Sequence, residues 1–201
     1  MRISTQQKRT RIINVATELF LDQGYKDTTL DQIVTICGGS KQTLYRYFTN
    51  KEGLFMAVLE HNTKTSLETV FQLDHNIDDP LQETLEQFAV QYLKRICGNP
   101  ILGLFRIVSS DFNKHDKISH QFWETGPIRI HQYLVDFLRN SNSCQCLQIE
   151  DAELACDQLL SLIKLDYQNM ALLGLDLPSE DILKNHVNKA VGGFIKLYQK
   201  N

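Results

Sequence analysis

The sequence predicts an all-α protein, with an N-terminal three-helix helix-turn-helix head and a larger helical body. Three observations lead to that fold class. Every long periodic stretch repeats its apolar residues at helical spacing, and none alternates as a half-buried strand does. The breaks between stretches fall at glycines, prolines and capping hydroxyl or amide side chains. Charge is also uneven: residues 1–51 hold eight Lys or Arg against four acids, a balance of +4, and the remaining 150 residues carry −7. A basic head on an acidic body suits a nucleic-acid-binding module joined to a part with another task.

The elements follow in order. From Gln7 to Gln23, Ile12, Ala16, Leu19 and Phe20 form one apolar face, and Gly24 stops the helix. Thr28 or Thr29 caps a short second helix that ends at Cys37 before Gly38-Gly39. Ser40 caps a third, with Leu44 and Phe48 turned inward. Asn50 starts a long helix to about Phe71, and the acidic, Pro-terminated run 74–80 reads as a linker. The body continues with Leu81 to Ile96, a Gly98-Asn99-Pro100 break, and Ile101 to Phe112. Lys117 to Leu138 is kinked or split by Gly126-Pro127, and a loop from Arg139 to Ile149 follows. Asp151 to Leu173 and Ser179 to Tyr198 complete nine or ten helices.

Composition narrows the classes of function. With 42% apolar residues over 201 positions the chain can bury a core, which excludes a disordered or fibrous protein. No run approaches the ~18 apolar residues of a membrane span. Met1 to Arg11 lacks the apolar segment of a secretory signal, so a soluble, cytoplasmic protein is expected. The five cysteines, Cys37, Cys97, Cys144, Cys146 and Cys156, are odd in number and scattered, as free thiols of a reducing compartment are. There is no Gly-rich phosphate loop, no G-x-S-x-G and no H-E-x-x-H, and the six histidines form no ligand-spaced cluster. The sequence therefore predicts no enzyme, no cofactor and no metal site.

The chemistry is concentrated in the third helix. With Leu44 and Phe48 facing the core, Lys41, Gln42, Thr43, Tyr45, Arg46 and Tyr47 project elsewhere. Gln and Thr can bond base edges, and Lys, Thr and Tyr can bond phosphate oxygens. Lys51 adds a cation where helix N-terminal N–H groups already favour phosphate.

The run from Thr43 to Phe55 (TLYRYFTNKEGLF), preceded by Ala16-x-x-Leu19-Phe20 and by Gly24-Tyr25-x-x-Thr28-Thr29, resembles the DNA-binding head of the TetR family of bacterial transcriptional regulators. The resemblance covers about residues 8 to 60. It implies a helix-turn-helix domain over 1–50 and a ligand-binding and dimerisation domain over 51–201, with 51–73 as connecting helix. It places Lys41, Gln42 and Thr43 at positions that read bases or adjoining phosphates, and Thr29, Ser40, Tyr45, Tyr47 and Lys51 at backbone-anchoring positions. Gly39 departs from the family, which usually has a β-branched apolar residue before the Ser, so a looser turn is expected.

For the body, the resemblance implies a homodimer through the last two helices and a small-molecule pocket. Leu154, Leu159, Leu162, Ile163, Val187, Val191, Phe194 and Leu197 supply the apolar surface for that seam. Phe105-Arg106-Ile107-Val108, Phe122 with Gly126-Pro127, and Leu134 with Phe137-Leu138 resemble the AcrR and AefR-like branch, often tied to efflux-pump repression. Candidate pocket walls are Phe88, Tyr92, Phe105, Trp123, Tyr133 and Tyr167, types that receive flat hydrophobic or cationic ligands but also fill cores. The expected partners are a double-stranded, palindromic DNA operator and a small-molecule inducer. The alternative is a TetR-like DNA-binding protein with no small-molecule input.

Overall fold

In a computed structural model the described residues are 4–71, 80–112, 117–140 and 142–200. They form α1 (Thr5–Asp27), α2 (Leu30–Cys37), α3 (Lys41–Tyr47), α4 (Lys51–Phe71), α5 (Leu81–Ile96), α6 (Ile101–Asp111), α7 (Lys117–Thr125) and α8 (Pro127–Asn140). A 3₁₀ turn (Asn142–Cys146) then leads to α9 (Ala152–Lys164), α10 (Tyr167–Leu172) and α11 (Glu180–Tyr198). No strand occurs among the described residues, and none of these helices is long and apolar enough to cross a membrane. The expected linker lies outside the described residues except for Pro80, as do the last two residues of the expected connecting helix.

Two differences from the sequence reading have local causes. Gly24 kinks α1 (φ 82°, ψ 171°) rather than ending it, and helical geometry resumes to Asp27. The buried Thr28 hydroxyl donates to the carbonyls of Leu19 (3.2 Å) and Gly24 (2.7 Å), tying the end of the helix back across the kink. The single helix expected over Asp151 to Leu173 is two, because Leu165 takes a positive φ of 40° and the chain restarts at Asp166. No glycine or proline marks that break, so periodicity alone runs through it.

The described residues pack as two compact units, Met1–Thr65 with Gly103–Thr125, and Ser66–Leu102 with Gly126–Asn201. The first unit thus groups the three-helix head with most of α4, with α6 and with α7. Its core gathers Ile13, Phe20, Ile33, Leu44, Phe48, Leu54, Phe55 and Leu59 with Leu104, Ile107, Val108, Ile118 and Phe122. Phe55 is the hub of its aromatic cluster. Its ring meets Phe20 edge-on (4.9 Å between centroids), Tyr25 at 5.0 Å and Phe112 in a stack at 5.6 Å. The second unit is built on α5, α8, α9 and α11, around Leu85, Phe88, Leu134, Leu159, Ile163, Val187, Val191 and Phe194. An antiparallel bridge between Leu147 and Gln199 ties the end of α11 to the segment before α9.

Phe55→Ala removes a fully buried ring and should cost about 3–5 kcal/mol in urea denaturation. Trp123, on α7, is 58% exposed, so Trp123→Ala should stay within about 0.5 kcal/mol of the wild type.

Candidate nucleic-acid interface

The turn before α3 is set by three residues. Gly38 takes a left-handed conformation (φ 66°, ψ 67°) that costs a residue with Cβ, and its N–H bonds the Val34 carbonyl at 3.0 Å. Gly39 has no positive φ, and a Cβ there would meet nothing within 4 Å, so the fold itself does not require this second glycine. Ser40 then caps α3, its Oγ accepting from the Thr43 N–H at 3.2 Å.

With Leu44 and Phe48 buried, the helical repeat turns Gln42, Tyr45 and Arg46 outward. Gln42 and Tyr45 make no hydrogen bond among the described residues, and Tyr45 is 52% exposed. Arg46 lies over the Tyr47 ring, 5.3 Å from its centroid. The sequence reading did not count Arg46 among the contact residues, although its position four after Gln42 puts it on the same face.

Of the other expected contact residues, Thr29, Ser40, Lys41, Thr43 and Lys51 already have partners. Lys41 pairs with Asp31 at 2.6 Å, an exposed bridge that raises the lysine pKa, first through its hydrogen bond to the carboxylate. Such a solvent-screened bridge is weak and readily exchanged. The Thr43 hydroxyl lies 3.0 Å from Ser40 Oγ. Thr29 caps α2 through a reciprocal pair with Gln32: its Oγ1 accepts from the Gln32 N–H (3.3 Å), and its own N–H donates to Gln32 Oε1 (2.7 Å).

Lys51 donates to the Lys26 carbonyl at 2.9 Å and sits 4.5 Å from the centroid of Tyr25. There it serves the C-terminal end of α1, and burial lowers its pKa against the opposing pull of Asp27 and Asp111. Tyr47 departs most from expectation. Its hydroxyl is covered and has no hydrogen-bond partner among the described residues, so in this conformation it does not reach outward. Position explains this: Tyr47 directly precedes the buried Phe48 on the flank of α3, away from the outward face.

The six aromatic residues expected to line a pocket divide between the two units. Phe105 stacks on Phe122 in the first unit (5.9 Å), and Trp123 stands exposed on the surface of that unit. In the second unit Phe88 is buried in the core and stacks on Tyr92 at 5.9 Å. Burial pushes the Tyr92 hydroxyl pKa up to about 12 and raises that of Tyr133. Tyr167 meets His186 edge-on at 5.1 Å and borders a small cavity. Among the described residues no group of histidine, cysteine or acidic side chains could hold a metal.

Because its hydroxyl is buried without a partner, Tyr47→Phe should raise stability by about 1 kcal/mol. Ser40→Ala, which loses a cap, should lower it by a similar ~1 kcal/mol. Urea denaturation of the DNA-free protein checks both signs.

Residues 12–58 match the family described as bacterial regulatory proteins, tetR family, and residues 83–200 match the AefR-like transcriptional repressor C-terminal domain. Among curated relatives, the HTH-type transcriptional regulator UidR of Escherichia coli is 29% identical over 100 residues, which are 46% of this chain and 51% of UidR. The chain thus spans about half the length of the curated relatives it matches first. Among solved structures, the flavonoid-responsive regulator FrrA is 28% identical with a TM-score of 0.78, over 98% of this chain and 99% of FrrA. A TetR-family transcriptional regulator from Mesorhizobium loti shares the fold at a TM-score of 0.87, with 24% identity over 99% of this chain and all of that one. The chain belongs to the TetR family of bacterial transcriptional regulators.

Proposed function

We propose that this protein is a homodimeric transcriptional repressor whose two α3 helices read a palindromic DNA operator, and whose body releases that operator when a small hydrophobic or cationic inducer binds. One observation carries the DNA-reading part: Gln42 and Tyr45 stand unbonded on the outward face of a capped helix whose opposite face is locked in a core. In this reading residues 1–50 are the DNA-binding domain, 51–201 the ligand-binding and dimerisation domain, and 51–73 the connecting helix. Gln42 and Thr43 read base edges, with Lys41 on bases or adjoining phosphates after leaving Asp31. Thr29, Ser40, Tyr45 and Lys51 anchor the backbone, and Tyr47 joins them only if its hydroxyl leaves its cover.

The match to an AefR-like repressor domain supports repression rather than activation. The name of FrrA, a regulator responsive to flavonoids, supports a small-molecule input. The AcrR- and AefR-like body points to control of an efflux system, which a transporter gene beside the regulator's own would support.

The second unit supports dimerisation through α9 and α11. Leu159, Ile163, Val187, Val191 and Phe194 are consumed by that unit's own core. Leu154, Leu162 and Leu197 remain exposed, and Leu165 and Ile182 join them. On α11, Ile182, Lys189, Gly193 and Leu197 form one stripe. A Cβ at Gly192 or Gly193 would meet nothing within 4 Å, and a mid-helix glycine costs about 0.5–1 kcal/mol against alanine. The close approach of a second chain gives those glycines a use that the single chain does not.

DNA selected from a random pool by the full-length protein supplies the operator probe. Gln42→Ala should relax preference at one position per half-site by about 1–3 kcal/mol. Lys51→Ala and Tyr45→Phe should weaken selected and random DNA alike, and Lys51→Ala should lower the salt slope by about one. An unchanged binding logo for Gln42→Ala, or loss confined to the selected sequence for Lys51→Ala, contradicts the assigned roles. Leu162→Glu with Leu197→Glu should give a monomer in analytical ultracentrifugation. A dimer that survives both changes places the seam elsewhere.

A further inference from the structure

Within the second unit, the end of α5, α10 and the start of α11 enclose a cavity of about 150 Å³. Val90, Leu93, Leu183 and Val187 make its walls apolar. Tyr167 closes one side, its ring held edge-on by His186, whose Nε2 lies 3.0 Å from the Ile163 carbonyl oxygen. Cys97 also lines the space, and burial raises its thiol pKa to about 11, so that wall is neutral at physiological pH. None of these side chains belongs to the DNA-reading face.

The rim differs from the walls. Glu180 accepts from Lys94 at 3.0 Å and lies 3.5 Å from Lys184, so two ammonium groups share one carboxylate. Among the charged groups lining the cavity this leaves one positive charge in excess. All three side chains are more than half exposed, so either lysine can turn to another anion at little cost. A space of roughly 150 Å³ with apolar walls holds about one benzene-sized ring.

We propose that this cavity is a binding site for a small monocarboxylate with a single-ring or short aliphatic body, the body among Val90, Leu93, Leu183 and Tyr167 and the carboxylate at Lys184. The ligand's class follows from the geometry: neutral walls exclude charge from the interior, and the surplus ammonium sets the charge of the protruding end. The link to DNA release, though not the site itself, rests on the ligand-response reading above, and the surplus ammonium narrows that reading to an apolar ligand with an anionic rather than a cationic end.

Phenylacetate is the probe, and its neutral isostere phenylacetamide the control, with binding to the full-length protein measured by calorimetry. Phenylacetate should bind with a dissociation constant of about 0.1–1 mM, as expected for a ligand of this size. Lys184→Gln should weaken phenylacetate about tenfold and leave phenylacetamide within about twofold. Val90→Phe, which fills the cavity, should abolish both, with circular dichroism checking its fold. No binding of phenylacetate at about 10 mM, equal loss of both compounds in Lys184→Gln, or unchanged binding in a folded Val90→Phe overturns the site. Fluorescence anisotropy of the selected DNA, in the same buffer, separates the two readings. Binding without release upholds the site and removes it as the trigger, whereas phenylacetate-driven release that persists in Val90→Phe overturns it.

Discussion

Phe20, Tyr25, Phe55 and Phe112 hold the first unit together. A head of three helices within fewer than fifty residues buries only a modest share of its surface and is marginal alone. Here it borrows the inner faces of α4, α6 and α7, and the four rings are where that borrowing is concentrated. Lys51 lies over one of those rings while its ammonium serves the end of α1. The inward residues of α3, Leu44 and Phe48, therefore share one core with residues more than fifty positions downstream of them.

What could be read from the sequence follows from the range of the forces involved. Capping is local, so Ser40 was identifiable as a cap and the second helix's cap was narrowed to Thr28 or Thr29 from their own neighbours; Ser40 and Thr29 are the caps. The buried positions Leu44 and Phe48 followed from helical spacing. The engagement of Lys51 with Lys26, twenty-five residues away, had no local signature, nor did the cover over the Tyr47 hydroxyl. Leu165 shows the limit from the other side: apolar residues sit on helical spacing through Leu173, yet the backbone turns at a leucine with positive φ. Periodicity records which residues want burial, and the chain can satisfy that with one helix or with two.

The aromatic residues of the body show why a pocket was harder to foresee than a reading helix. A core and a ligand site ask for the same side chains, and only their arrangement differs. Phe88 went to the core and Trp123 to the surface, and of the six candidates Tyr167 alone borders the cavity between α5, α10 and α11. That cavity is made chiefly by aliphatic residues and a shared ion pair, types too common in any helical protein to stand out. The apolar residues of α9 and α11 divided in the same way, some into the unit's own core and some outward. Their sequence spacing is compatible with either outcome.

The surface position of Trp123 makes the protein's emission the property of one spot on α7. A lone indole already in water emits at long wavelength when the chain is folded, and it shifts little when the chain unfolds. Tryptophan fluorescence is then a poor thermometer for unfolding, since an indole already facing water changes its surroundings little when the chain opens. The same isolation makes the indole a clean optical sentinel: a change in its intensity or polarisation reports what settles on α7 or alters its mobility, with no second tryptophan to confuse the signal.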